Sequence, residues 1–390
     1  MLPLYFNNLI QKRFIVKLKI KGEEMTSQTE GRKSDHIKIC LREDVQAKKA
    51  TSGFEDVFLV HRALPEIDRG DIEFSSIVFN HKFFAPIIVE AITGGVEKSL
   101  KINASIAEAV EELGLGMGVG SQRAAIENPK LEKTFAIARK KAPNAFLISN
   151  IGGPQLVKGY GAKEAKKAVE MINADALAIH LNPLQEVVQP EGETNFHGVL
   201  KKICEIVQAL DVPVIVKETG AGIASEDAKI LETAGVCGID VAGVGGTSWA
   251  AVEYYRAKER QNEFHQRIGQ TFWDWGIPTA ISLVEVAQST HLPIIASGGV
   301  HNGENVAKAL VSGANLAGTA SPILQAATNG QKEVKKVLTY MIEELRNTMF
   351  LVGAKSIDEL KNVPAILTGK TAEWLTMRGF HPEEYARRKM

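Results

Sequence analysis

Short apolar runs alternate along the chain with longer stretches in which apolar positions recur every three or four residues. The runs cover residues 86–91, 115–119, 145–150, 176–181, 213–218, 238–242, 293–297 and 314–319. They are rich in Ile, Val and Ala and lack strict alternation, the pattern of parallel strands buried on both faces. Residues 100–113, 162–172, 199–210, 225–233 and 280–289 carry the helical period instead. Ser225, followed by Glu226 and Asp227, reads as a helix start. Eight βα units without a break predict an α/β protein of the (β/α)8 TIM-barrel class. A doubly wound open sheet is the alternative, and uninterrupted repetition favours closure.

Three segments depart from the repeat. Residues 54–84 read as short strands and turns that plug the N-terminal end of the barrel. About fifty residues separate the sixth and seventh runs. The insert at 245–276 holds Trp249, Arg256, Trp273 and Trp275 and is expected over the barrel mouth, as a lid or partner contact. Residues 333–352 form a strongly amphipathic helix.

Composition narrows the class. The 390 residues are 45% hydrophobic and 24% charged, with 46 basic and 46 acidic side chains. Zero net charge argues against a nucleic-acid binder, and no stretch is apolar enough to span a bilayer. Cys40, Cys204 and Cys237 lack metal spacing and read as free, buried thiols of a reducing cytoplasm. Residues 1–31 are an N-terminal extension ahead of a single domain, 32–390. Residues 14–21 alternate like an exposed strand, and two readings stay open: a strand at a subunit contact, or a non-native tail with Met25 as the start.

Ligands of such barrels bind at the C-terminal strand ends. There the chain reads Ala91-Ile92-Thr93-Gly94-Gly95, Gly120-Ser121-Gln122-Arg123, Asn150, His180-Leu181-Asn182, Lys217-Glu218, Gly243 to Trp249, Ser297-Gly298-Gly299 and Gly318-Thr319-Ala320-Ser321. Gly298 and Gly299 with Ala320 and Ser321 form a phosphate cradle. Lys217 closes a buried strand and needs an anionic or electron-rich partner, which a flavin supplies. Asn150, Thr93, Ser121 and Thr247 are candidates for its ring heteroatoms. Glu186, after His180, Asn182 and Gln185, is a candidate Mg²⁺ ligand. Arg32, Lys33 and His36 are either a diphosphate clamp or a solvated basic patch.

In order, RKSDH, AITGG, GSQR, HLNPLQE, VKETGAG, AGVGGTSW and ASGG resemble the type 2 isopentenyl-diphosphate isomerases, from about Arg32 to the end of the chain. HLNPLQE and GGTSW are specific; the glycine pairs are shared with other FMN barrels. Ile92 stands where a Met-like residue is more usual. The resemblance implies an FMN-binding barrel that interconverts isopentenyl and dimethylallyl diphosphate, with Mg²⁺, reduced FMN and NAD(P)H as reductant. It implies an FMN site of Ala91, Ile92, Thr93, Ser121, Asn150, Lys217, Thr247, Gly298, Gly299, Ala320 and Ser321. Substrate contacts are expected from Arg32, Lys33, His36, Ser121, Gln122, Arg123, Gln185 and Trp249, catalytic roles from Gln185, His180 and Asn182, and the Mg²⁺ contact from Glu186. A cytoplasmic homotetramer or homo-octamer is expected. Competing readings are an FMN-dependent 2-hydroxyacid oxidase, which needs a His that residues 242–247 lack, and a non-catalytic flavin carrier.

Overall fold

A computed structural model describes residues 30–389. The proposed strand at 14–21 and the question of Met25 fall outside the described residues. Eight parallel strands close into a barrel: β1 (Ile87–Val89), β2 (Gly116–Gly118), β3 (Phe146–Gly152), β4 (Ala176–His180), β5 (Val214–Lys217), β6 (Gly238–Asp240), β7 (Ile294–Ser297) and β8 (Leu316–Thr319). Each falls inside or beside an apolar run, as expected for strands covered on both faces. The helical period also holds: Ala162–Ile172 and Ser225–Thr233 keep the expected bounds, and the amphipathic C-terminal helix is Gln331–Val352. Ser225 is not a cap, however. It is the first helical residue, and its hydroxyl meets Glu226 and Arg378.

Residues 54–84 close the N-terminal end. Ser76–Val78 and His81–Phe83 pair antiparallel around Phe79 and Asn80, whose φ values are 51° and 59°. Two positive φ values at the centre of a two-residue turn match the twist of a hairpin. A phenylalanine is costly there, and packing holds it: Phe79 stacks on Phe146 with centroids 5.8 Å apart. Gly238 leaves the room, since a Cβ on it would lie 2.7 Å from the Phe79 ring. Val57–Leu59 pairs with Ala365–Leu367, tying the segment before the barrel to the C-terminal tail.

The mouth is built by two additions. Residues 30–42 are helical, and the insert forms Trp249–Glu259 and Glu263–Thr271. Ile39, Val45, Ala251, Val252 and Trp273 bury one another in a small apolar cluster apart from the main core. The insert therefore flanks the mouth, with Trp249 turned into the cavity. Cys237 is exposed rather than buried, because it precedes β6 at the outer N-terminal edge.

Candidate active site

A large cavity opens at the C-terminal ends of the strands. Strand register sets its wall. Gly152 pairs with His180, His180 with Lys217, and Lys217 with Asp240, so β4 to β6 present the His180, Lys217 and Asp240 side chains at one level. Arg32, Lys33, His36, Ala91, Ile92, Thr93, Ser121, Arg123, Asn150, His180, Asn182, Gln185, Glu186, Lys217, Thr247, Trp249, Gly298, Gly299, Ala320 and Ser321 all line it. Gln122 does not. It is fully buried; its amide donates to Ala168 O at 2.8 Å and accepts from Asn150 N at 2.8 Å. The GSQR turn rotates this side chain into the barrel wall, so Gln122 braces Asn150 and does not line the cavity.

The glycines on β6 and β7 fit a cradle by close approach. A Cβ on Gly298 would lie 2.1 Å from Gly243 O, and one on Gly246 would lie 2.8 Å from Gly299 N. Gly298 and Gly299 adopt φ of 101° and 76°, where L side chains are strained. Ser321 opens the helix Ser321–Asn329 beside them, adding free N–H groups.

One side of the mouth is cationic. Lys33 Nζ donates to Gly94 O at 2.8 Å and Ser121 O at 2.6 Å. Burial, then the nearby Arg32, pull its pKa down to about 7. His36 Nε2 lies 2.8 Å from Glu253, which also accepts from Arg256 at 2.9 Å. The His36 ring packs edge-on against Trp249. Arg123 pairs with Glu127 and Glu193.

The β4 turn holds the polar centre. His180 Nδ1 is 2.8 Å from Asn150 Oδ1. Burial, then Lys217, Lys33 and Arg32, push its pKa down to about 3, so the imidazole is neutral. Asn182 Nδ2 donates to Glu186 Oε1 at 2.8 Å and to Gln185 Oε1 at 3.1 Å. Glu186 Oε2 accepts from Gln189 at 2.7 Å and from Glu193 N at 2.6 Å. One oxygen of Glu186 thus takes two hydrogen bonds and the other takes one, leaving a lone pair free. Asn182 Oδ1 is buried without a partner. Among the described residues, no three His, Cys, Asp or Glu cluster to hold a metal. One carboxylate with a free lone pair still suits Mg²⁺, which keeps waters and takes substrate phosphate oxygens.

Sequence reasoning missed the cavity floor. Lys217 is paired with protein carboxylates, Asp240 at 3.0 Å and Glu90 at 3.5 Å. Its need for an anionic partner is met before any ligand arrives. The same signal that marked Lys217, a charge ending an apolar run, is present in IIVE and GID. Cys40 also reaches the cavity, its pKa pushed up to about 12 by burial.

Residues 190–366 match the FMN-dependent dehydrogenases. The isopentenyl-diphosphate delta-isomerase of Methanothermobacter thermautotrophicus is 52% identical over 357 residues, 92% of this chain and 99% of that protein. That of Pyrococcus furiosus is 52% identical over 355 residues, 89% of each chain. Among solved structures, a putative lactate oxidase from Pediococcus acidilactici aligns with a TM-score of 0.62 at 19% identity, covering 89% of this chain and 94% of that one. Mandelate oxidase aligns at 0.57 and 18%, covering 88% and 98%. The two oxidases share the fold.

Proposed function

The chain belongs to the isopentenyl-diphosphate delta-isomerases, and from that premise we propose what each of its rim residues does. Its reaction interconverts isopentenyl and dimethylallyl diphosphate, and it binds FMN. The observation that carries the site assignment is the convergence, in one cavity, of a glycine cradle, a cationic side and a carboxylate with one free lone pair.

Gly298, Gly299, Ala320 and Ser321 would hold the FMN phosphate, and Ala91, Ile92, Thr93, Ser121, Asn150, Lys217 and Thr247 its ring. When bound and reduced, FMN supplies an electron-rich surface against the positive charge that alkene protonation develops. NAD(P)H serves as the reductant. Arg32, Lys33 and Arg123 bind the diphosphate, with His36 holding the N-terminal helix against the insert. Glu186 would hold Mg²⁺, which would supply positive charge to neutralise the diphosphate. Neutral His180 gains a proton more readily once a diphosphate sits beside it. Asn182 orients both Gln185 and Glu186, which directs the Gln185 amide toward the reacting carbons. Trp249 covers the apolar prenyl group and excludes water. Domain 32–390 acts as one unit, in a cytoplasmic homo-oligomer for which exposed Phe264 and Trp275 on the insert supply contact area.

An anaerobic assay with FMN, dithionite, Mg²⁺ and isopentenyl diphosphate tests the reading. Acid-labile dimethylallyl product is expected only with reduced FMN and Mg²⁺. Glu186→Gln is expected to retain FMN and lose turnover, with Mg²⁺-dependent pyrophosphate binding weakened at least tenfold. Product without FMN, or unchanged Mg²⁺ dependence in that variant, overturns the assignment.

A further inference from the structure

Three acceptors surround the ammonium of Lys217, a backbone carbonyl and two carboxylates. Its ammonium lies 2.7 Å from Glu218 O, 3.0 Å from Asp240 Oδ2 and 3.5 Å from Glu90 Oε2. An ammonium has three donors, and the ion pair with Glu90 is the longest of its three contacts, the one a bound cofactor would replace first. Asp240 is fixed: it is 1% exposed, and its other oxygen accepts from Ser297 Oγ at 2.6 Å. The Glu218 carbonyl is backbone. Glu90 is a side chain that lines the cavity and makes the longest of the three contacts. Gly318 gives it space, since a Cβ there would lie 2.4 Å from Glu90 Oε1.

We propose that Glu90 is a positioning residue that competes with the bound flavin for Lys217, and so couples reduction of the cofactor to uptake of a proton at the cavity floor. This rests on the FMN reading above. Two-electron reduction of FMN with one proton adds one negative charge to the cavity. Lys217 turns toward that charge, and the Glu90 carboxylate, left beside Asp240, takes a second proton from solvent. The surroundings suit this. Burial and then Asp240 raise the pKa of Glu90 to about 8, against the opposing pull of Lys217. Asp240 comes from β6 and Lys217 from β5; the other facing walls offer neutral Asn150 from β3, neutral His180 from β4, Ser297 from β7 and only Gly318 from β8. Loss of one Lys217 contact on reduction raises the pKa of Glu90 further.

The test is the midpoint potential of FMN on the holoenzyme, measured against pH in wild type and in Glu90→Gln. The amide keeps the shape and cannot ionise. Below pH 7 the two potentials are expected to run parallel. Between about pH 8 and 10 the wild-type potential is expected to fall more steeply with pH. At the alkaline end it lies below that of the variant, because an ionised Glu90 opposes the reduced, anionic flavin. Gly318→Ala, which crowds Glu90, is the second variant and is expected to shift or weaken the extra slope while FMN stays bound. Parallel potentials at every pH, with FMN bound to both proteins, overturn the proposal. Failure of wild type to bind FMN overturns the flavin reading instead.

Discussion

Lys33 Nζ sits 2.6 Å from the carbonyl oxygen of Ser121, so an ammonium from the N-terminal helix clasps the rim turn after β2. Burial and then Arg32 hold that ammonium at a pKa near 7, so at neutral pH it is only part charged. A diphosphate beside it restores the charge. Pyrophosphate with Mg²⁺ is therefore expected to take up a proton on binding at pH 8. Calorimetry in two buffers of different ionisation enthalpy reads this directly. Lys33→Arg, always charged, is expected to abolish the uptake. In the free enzyme the sign is also fixed. The unfolded lysine keeps a proton up to pH 10.5 that the folded one releases near 7, so the contribution of Lys33 to stability rises with pH between those values. Unaltered proton uptake in the arginine variant would sink this account.

His180 behaves in the same direction at lower pH. Its folded pKa, about 3, lies below the ordinary 6.5, because burial and then Lys217, Lys33 and Arg32 disfavour the imidazolium. Stability linked to it is present above pH 6.5 and is lost as pH falls toward 3, with a slope approaching about 1.4 kcal/mol per pH unit. Denaturant unfolding of ligand-free protein from pH 7 to 4 measures the slope. His180→Asn is expected to flatten it, and NMR of the wild type is expected to show a ring that stays neutral at pH 5. A ring that titrates near 6.5 would contradict the neutral assignment.

The barrel, the strand ends and nearly all of the rim were legible because parallel strands buried on both faces leave apolar runs, and whatever ends them faces the mouth. Two kinds of information were not legible. Side-chain direction within a turn was one: GSQR places Ser121 and Arg123 in the cavity and rotates Gln122 into the wall, and spacing does not distinguish these. Pairing across strands was the other. Lys217 meets Asp240 and Glu90 only through the closed register of β5, β6 and β1, so a buried ion cluster looked like a lone lysine awaiting a flavin. The helix at 30–42 is a third case. Its basic residues read equally well as a solvated patch until Lys33 and His36 were seen to hold the rim and the insert.

Gln122 and Arg123 separate bracing from binding. Gln122→Ala leaves Asn150 N without its side-chain partner, a cost of about 1–3 kcal/mol for a buried group, and removes a second bond to Ala168 O, which the helix Ala162–Ile172 still satisfies. Thermal unfolding is expected to shift down clearly, with pyrophosphate affinity reduced only as far as Asn150 loosens. Arg123 is less buried and faces the cavity, so Arg123→Gln is expected to change stability little and to weaken pyrophosphate binding about tenfold or more. The reverse order of the two variants in the two measurements would return Gln122 to the substrate site.

Gly299 carries the last prediction because it combines a conformational and a steric demand. Its φ is 76°, and a Cβ would lie 2.6 Å from Gly245 O and 3.0 Å from Ser52 Cβ. Gly159→Ala is a matched control, with φ of 112° and nothing within 4 Å. Both substitutions force an alanine into positive φ, a cost of roughly 1–2 kcal/mol. Only Gly299→Ala also pushes apart the backbone of the β6 and β7 turns, where the cofactor phosphate is proposed to sit. Comparable losses of melting temperature are expected at a minimum, with the larger in Gly299→Ala. FMN affinity, followed by flavin fluorescence quenching, is expected to fall more than tenfold in that variant alone. If Gly159→Ala loses FMN equally, global destabilisation explains the effect. If Gly299→Ala retains FMN, the phosphate does not lie in this cradle.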